Sequence, residues 1–172
     1  MLTPEVAYER CLAITRREAK NFYYGIRLLP PPKRRAMSAL YAFARYIDDI
    51  GDGDASPDEK LSQLASLREV TLAMAKSDTA HSFTATENVV NGVATPEGIS
   101  LSNLNLPAQN DLEAVIAGVT YASREFPIPV GAFEEIIAGC EEDSKQTSYQ
   151  TIDDTVRSVS YTHLTLPTIY SV

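Results

Sequence analysis

The sequence predicts an all-α protein, and three observations lead to that prediction. Apolar side chains recur every three or four residues over several separate stretches, which is the period of a helix rather than of a strand. Prolines and capping residues stand between these stretches, where helices begin and end. In the longest stretch the polar residues also fall on one stripe, at spacings that a helix brings together.

The first predicted helix begins with Thr3 as its cap and Pro4 in its first turn, where the missing N–H of proline costs nothing. It runs towards residue 20. The aromatic and aliphatic run over residues 22–29 follows, and it fits either a protein core or the wall of an apolar pocket.

The central helix follows three consecutive prolines at residues 30–32, which cannot continue a helix. We therefore predict that the helix begins near Lys33. It should end near Asp52, because Gly51 and Gly53 weaken a helix and permit the turn that follows.

A stripe of polar residues crosses this apolar helix. Tyr41, Arg45, Asp48 and Asp52 lie at positions i, i+4, i+7 and i+11, so they should project from one face. Asp49 points roughly 100° away from them. We expect much of the helix to be buried, and buried carboxylates persist only when they are paired or bound to a cation.

The acidic end of the stripe predicts a magnesium site. Magnesium takes oxygen ligands and typically binds through one or two carboxylates plus the phosphates of a substrate, which suits Asp48 and Asp52. Asp49 would be an outer or second-metal ligand, and Arg45 could hold a phosphate oxygen by a forked pair of hydrogen bonds. The alternative is a solvated helix end without a metal, because charge runs usually face water.

Further helices are predicted on both sides of an irregular stretch. Ser56 and Glu59 form a capping box that opens a helix through about residue 76. Residues 77–110 show no sustained period and are interpreted as an insertion or loop. Helical signals resume at Asp111, and again at Val130.

The helix that begins near Val130 ends in an acidic group, which is either a solvated helix end or part of the frame of a site. This group consists of Glu141, Glu142 and Asp143. Residues 151–154 then resemble another capped helix start. After Arg157 no charged residue occurs, and the composition favours a strand.

Composition narrows the classes of partner. The net charge of −8 and the lack of long basic runs argue against nucleic acid. Two cysteines far apart in sequence leave a reduced cytoplasmic protein as the default. Neither a signal peptide nor an apolar run of about 18 residues is visible, so we expect at most a peripheral contact with a membrane.

Several spaced motifs together resemble the squalene and phytoene synthase family. They are Asn21-Phe22-Tyr23-Tyr24-Gly25-Ile26-Arg27-Leu28-Leu29-Pro30, Lys33-Arg34-Arg35, Ala39-Leu40-Tyr41-Ala42-Phe43-Ala44-Arg45 and Asp48-Asp49-Ile50-Gly51-Asp52. A weaker similarity follows at residues 126–129, 133–139, 143 and 149. The resemblance implies a helical bundle of the isoprenoid synthase type that joins two prenyl diphosphates head to head through a cyclopropyl intermediate, using Mg²⁺.

The resemblance also implies roles for individual residues. Lys20, Asn21 and Phe22 would line the diphosphate mouth, the polar end of the substrate pocket. Tyr41 and Arg45 would act in catalysis. Asp48, Asp49 and Asp52 would bind metal. Arg45 would steady the leaving group, and Tyr41 would stabilise the carbocation or relay protons. Asn21 departs from the family pattern, which has a serine there more often.

Farnesyl diphosphate is the favoured substrate, giving presqualene diphosphate or, with NADPH, squalene. The alternative is a phytoene synthase acting on geranylgeranyl diphosphate. Two readings from other classes stay open: a head-to-tail prenyl enzyme or terpene cyclase, which the Tyr41-to-Arg45 spacing disfavours, and a non-catalytic helical binding protein, which has no need of three acids in an apolar setting.

The family pattern continues past residue 157 with a second Asp-rich helix that this sequence lacks. We therefore interpret residues 1–157 as a partial isoprenoid synthase domain, the N-terminal half of a longer bundle. Residues 158–172 resemble translated vector sequence and are predicted to be foreign to the fold. The fragment itself is predicted to be inactive, and the sequence gives no prediction of its oligomeric state.

Overall fold

The computed structural model describes residues 3–79, 89–90, 93–94, 106 and 109–145. The all-α prediction is confirmed, with six helices in these residues. They are α1 (Pro4–Glu18), α2 (Lys20–Arg27), α3 (Pro31–Asp52), α4 (Pro57–Thr79), α5 (Gln109–Glu125) and α6 (Ala132–Lys145). Between α4 and α5, β1 (Val89–Val90) pairs antiparallel with β2 (Val93–Ala94).

The N-terminal boundaries differ from the prediction at two points. The first helix stops at Glu18, and Ala19 separates it from α2. The central helix begins at Pro31, two residues before the predicted start, because proline is well accepted in a first helical turn. Its end at Asp52 and the Thr3 cap of α1 are as predicted.

Helix α3 lies at the centre of the bundle and packs against α1, α4, α5 and α6. Its inner face is fully or almost fully buried at Ala39, Phe43, Ile47 and Ile50. These residues recur every three or four positions, so they form one apolar stripe. The predicted burial of this helix is confirmed.

Close packing joins α1, α3 and α5. The Thr15 hydroxyl donates to the Cys11 carbonyl at 2.8 Å and lies 3.1 Å from the Ser38 carbonyl, which links α1 to α3. A Cβ added to Gly118 of α5 would lie 2.8 Å from the Cys11 Sγ and 3.3 Å from the Ala39 Cβ. The three helix backbones can therefore approach only because residue 118 has no side chain.

A forked ion pair joins α4 to α6. Arg68 lies 3.0 and 3.1 Å from the two carboxylate oxygens of Glu141, whose side chain is only 14% exposed. Ser56 caps α4 as predicted, since its hydroxyl accepts from the backbone N–H of Glu59. Glu141 is thus part of the packing between helices and not of a solvated helix end.

Some predictions fall on residues outside this description. Within the predicted irregular stretch, residues 77–110, the structure describes the end of α4, the β1–β2 pair, Leu106 and the start of α5. The predicted helix start at 151–154 and the predicted foreign tail at 158–172 lie outside the described residues. None of the described helices combines the length and the apolar character needed to cross a bilayer.

Candidate functional site

The candidate site lies at the C-terminal end of α3, opposite its buried face. Tyr41 and Arg45 are half-buried, and the three aspartates that follow are exposed. The predicted stripe therefore exists, but its carboxylates are not buried as expected. They come at the end of the helix, where the apolar stripe that covers its inner face gives way to a turn after Asp52.

Arg45 is held by Asp49 instead of standing free for a ligand. The Nη2 of Arg45 lies 2.6 Å from the Oδ1 of Asp49, one helical turn on, with side chains 37% and 53% exposed. The Nε of Arg45 is buried and has no hydrogen-bond partner among the described residues. The ion pair thus fixes the direction of the guanidinium and leaves one buried donor unsatisfied, which is costly in a native structure.

Asp48 stands in an electrostatically unfavourable position. Although the residue is exposed as a whole, desolvation of its carboxyl raises its pKa, and the carboxylates of Asp52 and Asp49 raise it further. Arg45 acts in the opposite direction. The net effect is a carboxylate that gains from a nearby cation.

Tyr41 keeps its proton at this site. Burial is the first cause that raises the pKa of its phenol, and the carboxylates of Glu18, Asp48 and Asp49 add to the shift, while Arg45 opposes it. A neutral phenol can donate one hydrogen bond to an anionic oxygen.

The described residues contain no group of three or more histidine, cysteine, aspartate or glutamate side chains arranged to hold a metal ion. A magnesium site of the predicted kind does not need such a group, since substrate phosphates and water complete the coordination. The residues fit the ion in two respects. Asp48 is destabilised as a free anion, and Arg45 has a buried donor that a phosphate oxygen could satisfy.

The predicted diphosphate mouth lies on α2. Asn21 is exposed and Phe22 is 73% exposed, while the Lys20 side chain lies outside the part that the structure describes. Tyr24 and Leu28 are also exposed, at 68% and 86%. Apolar side chains of α2 and of the residue after it are thus not covered by any described element. The roles of Lys20, Asn21 and Phe22 stay predictions.

Two residues near the acidic end were not singled out from the sequence. The Lys60 ammonium donates to the Gly51 carbonyl at 2.7 Å, so a cation from α4 satisfies the end of α3. Cys140 of α6 lies against Gly51 on the other side. A lysine placed after a helix end is a recognisable signal, whereas the cysteine contact depends on how α3 and α6 pack.

Replacing Asp48 with asparagine is expected to raise the melting temperature near neutral pH. The folded protein raises the pKa of Asp48 above 3.8, so the ionised carboxylate destabilises the fold above the folded-state pKa. This cost disappears as the pH falls through that pKa, and the gain from Asp48→Asn should disappear with it. Thermal unfolding at several pH values measures the effect.

The matched control is Asp54→Asn, which changes an exposed carboxylate just beyond the end of α3. It should not reproduce the pH-dependent gain. Equal gains from both variants, or a gain from Asp48→Asn that persists in full well below pH 3.8, would contradict the unfavourable position of the Asp48 carboxylate.

Comparison with known proteins adds the decisive observation: the model of the family described as "Squalene/phytoene synthase" matches residues 15–166. The chain belongs to this family. The match contains all the predicted site residues, so the resemblance drawn from the motifs is confirmed.

Two kinds of relative are found within the squalene/phytoene synthase family. The phytoene synthase of Mycobacterium tuberculosis is 32% identical over 152 residues, covering 88% of the chain and 39% of the relative. The 15-cis-phytoene synthase of Synechocystis is 27% identical over 87% of the chain and 35% of the relative. The presqualene diphosphate synthase of Rhodopseudomonas palustris is 35% identical over 42% of the chain and 24% of the relative.

The chain therefore spans less than two fifths of the length of these curated relatives. The names of these relatives cover both predicted products, phytoene and presqualene diphosphate.

Proposed function

We propose that this chain carries the α3 half of the diphosphate site of a magnesium-dependent enzyme that joins two prenyl diphosphates head to head. The observation that carries the proposal is the arrangement around Arg45: its ion pair with Asp49 directs the guanidinium, its buried Nε finds no partner among the residues that the structure describes, and Asp48 gains from a cation. Membership of the family supports the same reaction class.

Each residue of the site has a distinct role in this proposal. Asp48 and Asp52 hold Mg²⁺, with Asp49 as the outer carboxylate that orients Arg45. Bound Mg²⁺ supplies Lewis-acid activation of the leaving diphosphate. Arg45, whose side chain is partly exposed, donates from its guanidinium to a phosphate oxygen as negative charge collects there. Tyr41 keeps its phenolic proton and donates a hydrogen bond at the same end of the substrate.

Helix α2 supplies a surface for the prenyl chain. Phe22, which belongs to the predicted diphosphate mouth, and Tyr24 and Leu28, which follow it, are large exposed side chains. A prenyl chain requires an apolar wall with a polar end, which is the usual composition of a small-molecule site. This exposure favours a ligand surface over plain core for these three residues.

Farnesyl and geranylgeranyl diphosphate are both candidate substrates. The residues of the motifs at 21–24 and 48–52 favour farnesyl diphosphate as the substrate and presqualene diphosphate or squalene as the product. NADPH would be needed only for squalene. The relatives named phytoene synthase, which match along most of the chain, give equal support to geranylgeranyl diphosphate. A cytoplasmic location with a peripheral membrane contact is the accompanying proposal.

Product analysis tests the type of reaction and the length of the prenyl chain in the substrate together. A protein of full family length that carries residues 1–157 of this chain is incubated with Mg²⁺ and either diphosphate, and its products are identified by mass spectrometry. We expect a head-to-head product from one of the two substrates. Head-to-tail elongation, a cyclised monomer, or product formation without a divalent metal would contradict the proposal.

A further inference from the structure

Helices α3 and α6 contact each other tightly beside the acidic residues of the candidate site. A Cβ added to Gly51 would lie 3.1 Å from the Sγ and 3.2 Å from the Cβ of Cys140. Such distances are shorter than ordinary carbon–carbon or carbon–sulfur contacts, so a side chain at residue 51 would push Cys140 away by a few tenths of an ångström.

The position of this contact relates it to the site. Gly51 lies between Asp48 and Asp52 in the last turn of α3, and Cys140 lies one turn before Asp143 in α6. The pKa of the Cys140 thiol is raised to about 11. Desolvation is the largest cause, followed by the carboxylates of Asp48, Asp143, Asp52 and Glu141. Acids of both helices therefore lie within electrostatic range of one sulfur atom.

Side chains of α4 also bind at or next to both Gly51 and Cys140. Lys60 donates a hydrogen bond to the Gly51 carbonyl at 2.7 Å, and Arg68 forms an ion pair with Glu141, the residue after Cys140. Because α4 supplies both cations, it fixes the end of α3 and the neighbouring turn of α6 at once. Movement of either helix away from the contact would therefore strain the Lys60 hydrogen bond or the Arg68 ion pair.

We propose that Gly51 and Cys140 are positioning residues, whose contact sets the separation between the metal-binding end of α3 and the acidic turn of α6. The inference rests on the proposed function and adds two residues to it. Neither residue needs to touch the metal or the substrate. Their contact holds the end of α3 that carries Asp48 and Asp52 against the turn of α6 that leads to Asp143.

Manganese titration of the ¹⁵N-labelled chain, followed by paramagnetic broadening of backbone amides, tests the inference. Manganese is the probe because it takes the carboxylate and water ligands that Mg²⁺ prefers. In the unsubstituted chain we expect broadening at the end of α3 and at the turn of α6 that contains Cys140. Asp48→Asn should abolish both.

Gly51→Ala should weaken manganese binding by about tenfold, as loss of a group that orients a ligand commonly does. Gly25→Ala is the matched control, since a Cβ at Gly25 meets nothing within 4 Å. Cys140→Ala in the Gly51→Ala background removes the sulfur and should recover part of the lost affinity. Should Gly51→Ala fail to fold, Cys140→Leu enlarges the contact from α6 and should cause the same loss.

The outcomes separate the inference from the proposed function. Absence of Asp48-dependent broadening in the unsubstituted chain would overturn the proposed metal site, and the inference with it. Broadening that is lost in Asp48→Asn but keeps its full affinity in Gly51→Ala would overturn the inference alone. A fall in melting temperature without a change in affinity would reduce the contact to ordinary packing and would also overturn it.

Discussion

Replacement of Asp48 or Asp52 by alanine is expected to lower magnesium-dependent head-to-head condensation by about a hundred- to a thousandfold, the usual cost of losing one positioned charge-stabilising group. The protein assayed is one of family length that carries this chain. The reason is local: without either carboxylate, the end of α3 loses a ligand for the ion that draws off the diphosphate.

Asp54→Ala is the control, because Asp54 is exposed and lies beyond the end of α3. It should leave the rate within about twofold, as surface substitutions away from a site usually have small effects. Initial rates at saturating Mg²⁺, with melting temperatures to show that each variant folds, measure the effect. Full activity in Asp48→Ala would show that the aspartates at the end of α3 form a solvated helix end and bind no catalytic metal.

The 172-residue chain itself is expected to form no product in the same assay. Its α3 carboxylates supply only part of the ligands, and the apolar surface of α2 is uncovered, so water would reach a carbocation formed there. Turnover of either prenyl diphosphate by the purified chain would contradict this expectation without touching the Asp48 prediction.

Truncation of Phe43 to alanine is expected to destabilise the fold by about 3 to 5 kcal/mol, the range for a large aromatic removed from a core. Phe43 is completely buried at the centre of α3, and its ring meets that of Phe133 edge to face, with centroids 4.8 Å apart. This loss is large compared with the free energy of unfolding of a typical domain, which is about 5 to 15 kcal/mol.

Urea unfolding followed by circular dichroism gives the free energy for each variant. Phe22→Ala is the matched control, because its ring is 73% exposed and its removal leaves no cavity. It should change the free energy of unfolding by no more than about 0.5 kcal/mol. A loss below about 1 kcal/mol in Phe43→Ala would mean that α3 is not the centre of the core.

Elements that depend on local chemistry were predictable from the sequence. The Thr3 and Ser56 caps and the end of α3 follow from residue types whose effects act within one helical turn. The break between α1 and α2 at Ala19 was not predictable, because alanine favours helix and gives no signal of a boundary. The β1–β2 pair has a signal in Asn91-Gly92, a common hairpin turn, but its two-residue strands are too short for an alternating pattern.

The placement of the candidate residues along α3 was predictable from the sequence, and their contacts only partly so. A helical period places Tyr41, Arg45 and Asp48 together, and the structure keeps them so. The same period also allows Arg45 to pair with Asp49 at i+4, and that pair forms because the two charges attract without a ligand. The approach of Cys140 to Gly51 depends on two helices far apart in sequence, which no local pattern encodes.

The central place of α3 has a consequence for the order in which this protein can fold during synthesis. Helix α3 is complete at Asp52, but α5, which packs against it, begins only at Gln109. A ribosome adds about 5 to 20 residues per second, so several seconds separate the two elements. During that interval the apolar stripe through Phe43 and Ile47 has only α1, α2 and α4 to cover it, so part of the apolar surface that α5 and α6 later bury is exposed to aggregation.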